Sequence, residues 1–465
     1  MSSGAKIGYH LATMRVCFTN LGCKLNQAEL EKMARRFHAA GHRVVATVEE
    51  AELHVINTCT VTHHAARSSR KLARRGQRRQ AELRTVLTGC YATEQPEEAA
   101  ALAGVDLVVL NNQKDLLLEK VHEHIPGAVP KIAPAAEEPF QGPGEIPVPY
   151  VPLAFGNTRA LVKVEDGCNV GCSFCIIPFT RGRQTSRPVD EIVEEVRSLE
   201  ATGHREVVIT GVQISHYRSQ GATLVDLTRS LLEATERTRL RLTSIAPWRF
   251  DEELFELWQH PRLCRHIHMS LQSGCTETLR RMRRPYTAAA YGQLAQRIRR
   301  EIPGVALTTD VIVGFPGETD EEFDASLAFV ESMEFAKIHA FPYSRRPGTA
   351  AAEMPDGVPH NLLRQRMERM LTAAEASEQA FLQRHLGTTV DVLWERRRGG
   401  RWQGMTDNYL RVLTSAERGD GQRSYRAPRT NQLTRTRLTD LDEDGLWGIP
   451  LPPVEANPLR SASVS

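Results

Sequence analysis

The sequence has no apolar run long enough to cross a membrane as a helix, because its longest apolar stretches have the length of a strand and are flanked by polar residues. Its N-terminus also lacks the charged segment, apolar segment and small residues that together mark a secretory signal. The sequence thus offers neither a candidate membrane-spanning helix nor a recognisable secretory signal. We therefore expect a globular protein of the cytoplasm.

An excess of charge of one sign is also missing, since 59 Lys and Arg residues nearly balance 56 Asp and Glu residues. A net charge of +3 neither favours nor excludes a nucleic-acid partner. The distribution of charge says more, because the segment 67–79 (RSSRKLARRGQRR) contains many cations and no acid. Such a run is either a solvated helix face or a surface for a polyanion such as RNA. The candidate RNA-binding side chains in it are Arg67, Arg70, Lys71, Arg74 and Arg75.

A disulfide framework is not expected, although the chain has nine cysteines. The cytoplasm keeps thiols reduced, so metal binding or catalysis is the better interpretation. Three cysteines (Cys17, Cys264 and Cys275) have no partner at a metal-ligand spacing, and we interpret them as ordinary small buried residues. The other six form two sets of three.

The pattern of apolar residues predicts an α/β protein with several domains. Residues 14–125 alternate strands with helices, which predicts a doubly wound parallel sheet, and the proline-rich residues 126–157 predict an extended linker. Six strand–helix units in residues 158–386 predict a partial (β/α)6 barrel. Short strands in residues 387–450 predict a small all-β module, and residues 451–465 predict a flexible tail.

The first cysteine set is contained in the segment DGCNVGCSFC, where Cys168, Cys172 and Cys175 have the spacing C-x3-C-x2-C. One short loop can aim three such thiolates at a common point, with Gly167 and Gly171 allowing the backbone to fold tightly. Tetrahedral zinc needs a fourth ligand, and no Cys or His follows within a short reach. A cubane iron–sulfur cluster, which needs only three thiolates and keeps one iron open, fits better.

This spacing after the first strand of a predicted barrel resembles the radical S-adenosylmethionine superfamily. The resemblance implies that the open iron binds S-adenosylmethionine and that its reductive cleavage gives a radical that abstracts hydrogen, so the three cysteines are also catalytic. It also implies that Phe174 lies beside the adenine of the cofactor. Further candidates for lining the cofactor pocket follow predicted strands at the carboxyl end of the barrel: Gly211, Ser270, Gln272, Asp310, Ile312 and Gly314.

The second cysteine set is scattered in sequence, but Cys23, Cys59 and Cys90 each follow a predicted strand of the N-terminal sheet. The carboxyl ends of adjacent parallel strands meet in one crevice, so these thiols are expected to converge there. The alternative is three unrelated thiols. Two histidines, His63 and His64, are candidate additional ligands, although histidines at the start of a helix are more often surface residues.

The surrounding motifs LGCKLNQAE, INTCTVT and TGCYA resemble the N-terminal domain of the methylthiotransferases. That resemblance implies a second [4Fe-4S] cluster on these cysteines, where a sulfide or methylthio group binds before its insertion. The segment GMTDNYLRV at Gly404–Val412 resembles the TRAM domain, which binds RNA.

Branches of this family modify isopentenyladenosine in tRNA, threonylcarbamoyladenosine in tRNA, or an aspartate of a ribosomal protein. The motifs CKLNQAE and RGRQTSRP resemble the second, MtaB-like branch, which implies methylthiolation of C2 of N6-threonylcarbamoyladenosine at position 37 of tRNA. The expected partners are then the tRNA anticodon loop and an electron donor protein, with the chain acting as a monomer. Arg181, Arg183 and Arg187 become candidate RNA contacts, or else are salt-bridged loop residues. A tRNA-binding protein with purely structural clusters and a zinc protein remain as other interpretations.

Overall fold

The structure is a computed structural model of the 465-residue chain. It describes residues 13–60, 67–72, 82–125, 158–415 and 427–452. The expected linker, nearly all of the expected tail, and the candidate residues His63, His64, Arg74 and Arg75 lie outside these ranges.

The N-terminal region contains a five-stranded sheet in the order β2-β1-β3-β4-β5, and all four pairings in it are parallel. Its strands are β1 (Arg15–Asn20), β2 (Arg43–Val45), β3 (Leu53–Thr58), β4 (Arg84–Gly89) and β5 (Leu107–Val109). Its helices are α1 (Lys24–Ala39), α2 (Cys90–Glu94), α3 (Pro96–Ala100) and α4 (Leu117–His124), with 3-10 turns at Val48–Glu50 and Asn111–Leu116. Residues 67–72 are also helical.

Helices cover both faces of this sheet, because successive residues of a strand face opposite sides. In β3, Val55 packs into the cluster that contains Leu30 and Phe37 of α1, whereas Ile56 packs into a second cluster with Tyr91 of α2. Every residue of β3 is buried as a result. The predicted doubly wound parallel sheet is confirmed.

The central region is built on two parallel three-stranded sheets, ordered β6-β9-β10 and β11-β12-β13. A parallel bridge between Leu240 and Leu263 joins them, so six strands follow one another around an incomplete barrel, as predicted. The strands are β6 (Ala160–Lys163), β9 (Glu206–Thr210), β10 (Arg239–Leu242), β11 (His266–His268), β12 (Ala306–Val313) and β13 (Lys337–Pro342), and a small hairpin is formed by β7 (Glu165–Asp166) and β8 (Thr185–Ser186).

Helices surround this barrel. They are α5 (Ile177–Arg181), α6 (Val189–Ala201), α7 (Leu224–Ala234), α8 (Leu254–Leu257), α9 (Thr276–Arg281), α10 (Ala288–Glu301), α11 (Asp320–Ser332) and α12 (His360–Gln383), with 3-10 turns at Ile214–His216, Pro247–Arg249 and Ala350–Glu353. Helix α1 of the N-terminal sheet packs against β6, where Ala28 contacts Leu161 and Val208. The N-terminal sheet therefore docks on the first edge of the barrel.

The C-terminal region is a small closed barrel in the order β14-β15-β16-β18-β17, which confirms the predicted all-β module. Its strands are β14 (Thr389–Arg398), β15 (Arg401–Thr406), β16 (Arg411–Thr414), β17 (Gln432–Asp442) and β18 (Gly445–Pro450). It docks on the large barrel through Arg241, which donates to the carbonyls of Thr406 at 2.9 Å and Asp407 at 2.8 Å. Within the ranges described, no helix combines the length and apolarity of a membrane span.

Candidate functional site

The first cysteine loop leaves the barrel after the strand β7 and ends where α5 begins. Gly167 has a φ of +74°, and a Cβ placed on it would collide with the carbonyl of Arg183. The Cys168 amide donates to the carbonyl of Gly182 at 3.2 Å. The loop therefore closes tightly on the turn that follows α5, and a glycine is required at this close approach.

The other side of the loop is fixed through Ser173 to the end of α9 and to the 3-10 turn Ala350–Glu353. Its hydroxyl donates to the carbonyl of Arg281 at 2.8 Å, and its amide donates to the carbonyl of Met282 at 3.1 Å. Its own carbonyl accepts from the amide of Ala351 at 2.7 Å. The three thiols are thus presented by a loop that is held on both sides.

The electrostatic surroundings of the thiols are mixed. Burial raises the pKa of Cys168, and it raises the pKa of Cys175 to about 12. A half-buried cation opposes this effect, because Nη1 of Arg284 lies 3.1 Å from Sγ of Cys172, while its guanidinium packs over the ring of Trp248 at 4.8 Å. Metal binding releases thiol protons, so three thiols beside a cation fit a thiolate-bound cluster.

Aromatic and small residues adjoin this loop at the ends of the barrel strands. The Phe174 ring meets the Phe315 ring edge-on, with centroids 6.4 Å apart. A Cβ on Gly211 would lie 2.7 Å from the carboxylate of Glu165. Gly314 has a φ of +75°, and a Cβ there would collide with Leu363.

Buried Glu165 is a residue that the sequence analysis missed. Burial raises its pKa to about 7, although the amide of Gln213 donates to its carboxylate at 2.9 Å. One carboxylate oxygen, Oε1, has no hydrogen-bond partner among the described residues. Its position next to Gly211 depends on the pairing of β6 with β9, which no local motif reveals.

A cluster of polar side chains connects β11 and β12 inside the barrel. The carboxylate of Asp310 accepts from the Ser270 hydroxyl at 3.0 Å and lies 3.1 Å from Nε2 of His268. Burial opposes the charge of Asp310, but these hydrogen bonds lower its pKa. The backbone of Gln272 pairs with the same strand. Its amide donates to the carbonyl of Asp310 at 2.8 Å, and its carbonyl accepts from the amide of Ile312 at 2.9 Å. No sequence motif identified His268 as part of this cluster.

The second cysteine set lies at the carboxyl ends of β1, β3 and β4. Strand register places Thr58 opposite Gly89, so Cys59 and Cys90 follow directly paired residues. A Cβ on Gly89 would collide with the carbonyl of Thr58, which makes glycine necessary for this approach. The strand ends thus bring two of the three cysteines to one place.

Asn26 links the third cysteine to the other two. Its side-chain oxygen accepts from Sγ of Cys23 at 3.2 Å, and its amide nitrogen donates to the carbonyl of Thr58 at 3.2 Å. Cys23 is exposed, whereas Cys59 and Cys90 are buried. A side-chain amide also approaches Cys90, since Nδ2 of Asn111 lies 3.8 Å from its Sγ. All three cysteines therefore lie at the carboxyl ends of neighbouring strands, and Asn26 connects Cys23 to the residue before Cys59.

Arg181 connects the two cysteine sets and corrects an expectation. Its side chain is only 1% exposed, so it is not an RNA contact. Its guanidinium donates to Glu29 at 2.9 Å, to Asp166 at 3.0 Å and to the oxygen of Asn26 at 3.1 Å. Because the same oxygen accepts from Cys23, one amide joins α5, next to the first set, to the second set.

The other arginine and lysine candidates divide by exposure. Arg67, Lys71 and Arg183 are exposed. Arg70 is half-buried and lies 3.6 Å from a carboxylate oxygen of Glu98. Arg187 pairs with Glu195 at 2.7 Å, which agrees with the alternative of a salt-bridged loop residue.

Within the described part of the chain, no three His, Cys, Asp or Glu side chains converge as ligands of a single metal ion. A cubane cluster distributes its three thiolates over three iron atoms, so its ligands need not meet at one point. The fit of each set therefore rests on its donors and their surroundings. Both sets have three cysteines, a neighbouring cation or side-chain amide, and a glycine that lets two backbone segments approach closely.

Two family models match the chain. The model described as "Radical SAM superfamily" matches residues 162–330, and "Uncharacterized protein family UPF0004" matches residues 15–110. The first match contains Cys168, Cys172 and Cys175, and its family binds a [4Fe-4S] cluster and S-adenosylmethionine. The second match contains the second cysteine set.

Two relatives match most of the chain. "Threonylcarbamoyladenosine tRNA methylthiotransferase MtaB" of Bacillus subtilis is 33% identical, covering 86% of this chain and 90% of the relative. "tRNA-2-methylthio-N(6)-dimethylallyladenosine synthase" of Sorangium cellulosum is 34% identical, covering 85% of this chain and 86% of the relative. The radical S-adenosylmethionine methyltransferase TsrM of Kitasatospora setae has a similar fold, with a TM-score of 0.55 at 20% identity over 73% of this chain and 75% of that one. The chain belongs to the methylthiotransferase family of radical S-adenosylmethionine enzymes.

Proposed function

We propose that this enzyme adds a methylthio group to C2 of N6-threonylcarbamoyladenosine at position 37 of tRNA. The observation that carries the proposal is the contact chain from Cys23 through Asn26 to Arg181, which joins the second cysteine set to the helix that follows the first cysteine loop. A reaction that removes hydrogen at one centre and delivers sulfur from another needs both centres within reach of one substrate atom. A base in a single-stranded loop can be turned outward to reach such a site, whereas a paired base cannot.

We assign a second [4Fe-4S] cluster to Cys23, Cys59 and Cys90. Their positions at the carboxyl ends of neighbouring strands, the burial of two of them and the amide of Asn111 near Cys90 support this assignment. When bound, the two clusters and S-adenosylmethionine supply radical hydrogen abstraction and a sulfur source. The chain itself holds these groups in a fixed relation, because α5 is anchored at Arg181.

The residues at the barrel mouth can orient the cofactor. Asp310 is kept ionised by Ser270 and His268, so it can accept hydrogen bonds from hydroxyl or amino groups. Phe174 and Phe315 supply an apolar wall that excludes water beside the first cysteine loop. We place the enzyme in the cytoplasm as a monomer that receives electrons from a donor protein.

The choice of nucleoside rests on sequence motifs. The two relatives act, by their names, on different adenosine derivatives, and their identities of 33% and 34% do not separate these substrates. The motifs CKLNQAE and RGRQTSRP resemble the MtaB-like branch. They favour threonylcarbamoyladenosine.

Mass spectrometry of tRNA nucleosides tests this proposal. A deletion strain should lack 2-methylthio-N6-threonylcarbamoyladenosine and accumulate the unmodified N6-threonylcarbamoyladenosine. Expression of this chain should restore the methylthio group, and a Cys172→Ala, Cys59→Ala double variant serves as the inactive control. Loss of the methylthio group from isopentenyladenosine instead, or from a ribosomal-protein aspartate, would assign another branch. Absence of 5′-deoxyadenosine from reduced protein with S-adenosylmethionine would contradict an enzymatic role.

A further inference from the structure

We propose that the ring of Phe179 is a stacking platform for a base of the tRNA anticodon loop, and that Arg183 contacts the neighbouring phosphate backbone. This inference rests on the proposed function and adds the contact that holds the RNA loop in place. Proteins that recognise single-stranded RNA commonly stack its bases on aromatic rings and bind its phosphates with cations.

The first observation is exposure. Phe179 is 64% exposed, which is the largest value of any large apolar side chain that the structure describes. Burying an aromatic ring is strongly favourable, so a ring left in water on an ordered element indicates a contact surface. Adjacent residues do not share this exposure, since Ile176 at the N-cap of the helix and Thr180 on the helix are buried.

The second observation is position. Phe179 lies on α5, which begins two residues after Cys175 and packs against α2, the helix that begins at Cys90. The carbonyl of Thr180 accepts from Nδ2 of Asn111, the same amide that approaches Sγ of Cys90. The exposed ring is therefore carried by the element that lies between the two cysteine sets, where the target nucleotide has to arrive.

The third observation is rigidity. The buried side of α5 is held by Arg181, whose guanidinium is saturated by Glu29, Asp166 and Asn26. A platform that is already ordered loses little conformational entropy when a base stacks on it. Phe179 is thus presented to solvent on a fixed support.

The fourth observation is the charge beside it. Arg183 is exposed, and its side chain forms no ion pair with any residue in the described ranges. Its backbone is fixed, because its carbonyl packs against Gly167. An exposed cation four residues from an exposed ring matches the needs of a base and its phosphate.

The test is binding of an anticodon stem-loop RNA that carries N6-threonylcarbamoyladenosine, measured by fluorescence anisotropy with cluster-reconstituted protein. Phe179→Ala should weaken binding about 5-fold to 100-fold, because one stacked base contributes on that scale. Phe179→Leu should remain weak although it keeps apolar bulk, whereas Phe179→Trp should restore binding. Arg183→Gln should weaken binding and reduce its salt dependence by about one phosphate contact, whereas Phe179→Ala should leave the salt dependence unchanged.

Leu371→Ala is the matched control, because this leucine is 44% exposed on α12, away from α5. It should bind RNA as the wild type does, and all variants should keep the wild-type iron content. Wild-type affinity in Phe179→Ala, or in Phe179→Leu, would overturn the stacking role while the proposed function stands. A wild-type enzyme that binds no tRNA stem-loop would overturn both.

Discussion

The first cysteine set lies on one loop, whereas the second set is assembled from the ends of three strands and the start of a helix. Cys168, Cys172 and Cys175 keep their relation through local turns anchored by Ser173. Cys23 and Cys59 depend instead on strand pairing and on Asn26. The first set is therefore carried by one loop that distant residues hold in place, whereas the second set exists only when the strands of the sheet are paired.

The largest effects should come from removing one thiol of each set. Cys172→Ala should abolish 5′-deoxyadenosine formation, because the first set then lacks a ligand. Cys59→Ala should abolish the methylthio product while still forming 5′-deoxyadenosine. Chromatography of 5′-deoxyadenosine and nucleoside mass spectrometry give the two readouts. Equal loss of 5′-deoxyadenosine in both variants would show that the two sets are not separate centres.

The next effect concerns the contact that joins the two sets. Arg181→Met should lower the free energy of unfolding by about 3 kcal/mol or more, because it leaves the buried carboxylate of Glu29 with one cation fewer. Urea unfolding followed by circular dichroism measures this change. Arg280→Met, which removes an exposed arginine, is the control and should change stability by less than about 0.5 kcal/mol. Equal stability of the two variants would contradict the joining role of Arg181.

The next prediction concerns the stability contributed by a buried ion network that lies away from both cysteine sets. Burial opposes the charge of Glu206, but Arg241, Arg239 and Arg159 lower its pKa to about 2. Because its folded pKa lies below its unfolded value, it stabilises the fold above about pH 4.5, and this contribution is lost as the pH falls toward 2. Glu206→Gln should therefore destabilise the protein at pH 7 and flatten the acid limb of its stability curve. Urea unfolding across pH is the measurement, and an unchanged acid limb would contradict the assignment.

The smallest effect distinguishes two glycines, one from each set. Gly89 and Gly171 both have positive φ, +100° and +72°, but a Cβ on Gly89 would collide with the carbonyl of Thr58 whereas one on Gly171 meets open space. Gly171→Ala should cost about 1 kcal/mol from backbone strain alone, and Gly89→Ala should cost at least about 1 kcal/mol more. Thermal unfolding checks the order. The reverse order would mean that the strand ends are not as close as described.

Periodicity and motif order were sufficient to predict the three regions of the fold. The alternation in β3 and β4, with Val55 and Ile56 facing opposite clusters, is a direct property of a strand covered on both sides. The position of Cys59 and Cys90 after paired strands was also predictable, because parallel strands align their carboxyl ends.

The partners of charged residues were not predictable, because they depend on how separate regions dock. Arg181 was expected at an RNA surface, but the approach of α1 to the barrel buries it against Glu29. Arg187 pairs with Glu195 on the helix that follows it, and Glu195 also pairs with Arg35 of α1. The exposure of Phe179 had no signal in sequence, since an aromatic residue in a short helix is usually buried. A partial signal for His268 was present in the sequence. His266 and His268 are two residues apart on β11, so their side chains lie on the same face of the strand.

The anchoring of α5 also constrains the length of the chain. Arg181 follows Cys175 within the loop and a single short helix, and a one-residue insertion there would rotate the guanidinium by about 100° around the helix axis. It would then face away from Glu29 even though the three thiols and their spacing were untouched. The distance along the backbone between Cys175 and Arg181 is therefore set by the fit between two domains and not by iron chemistry.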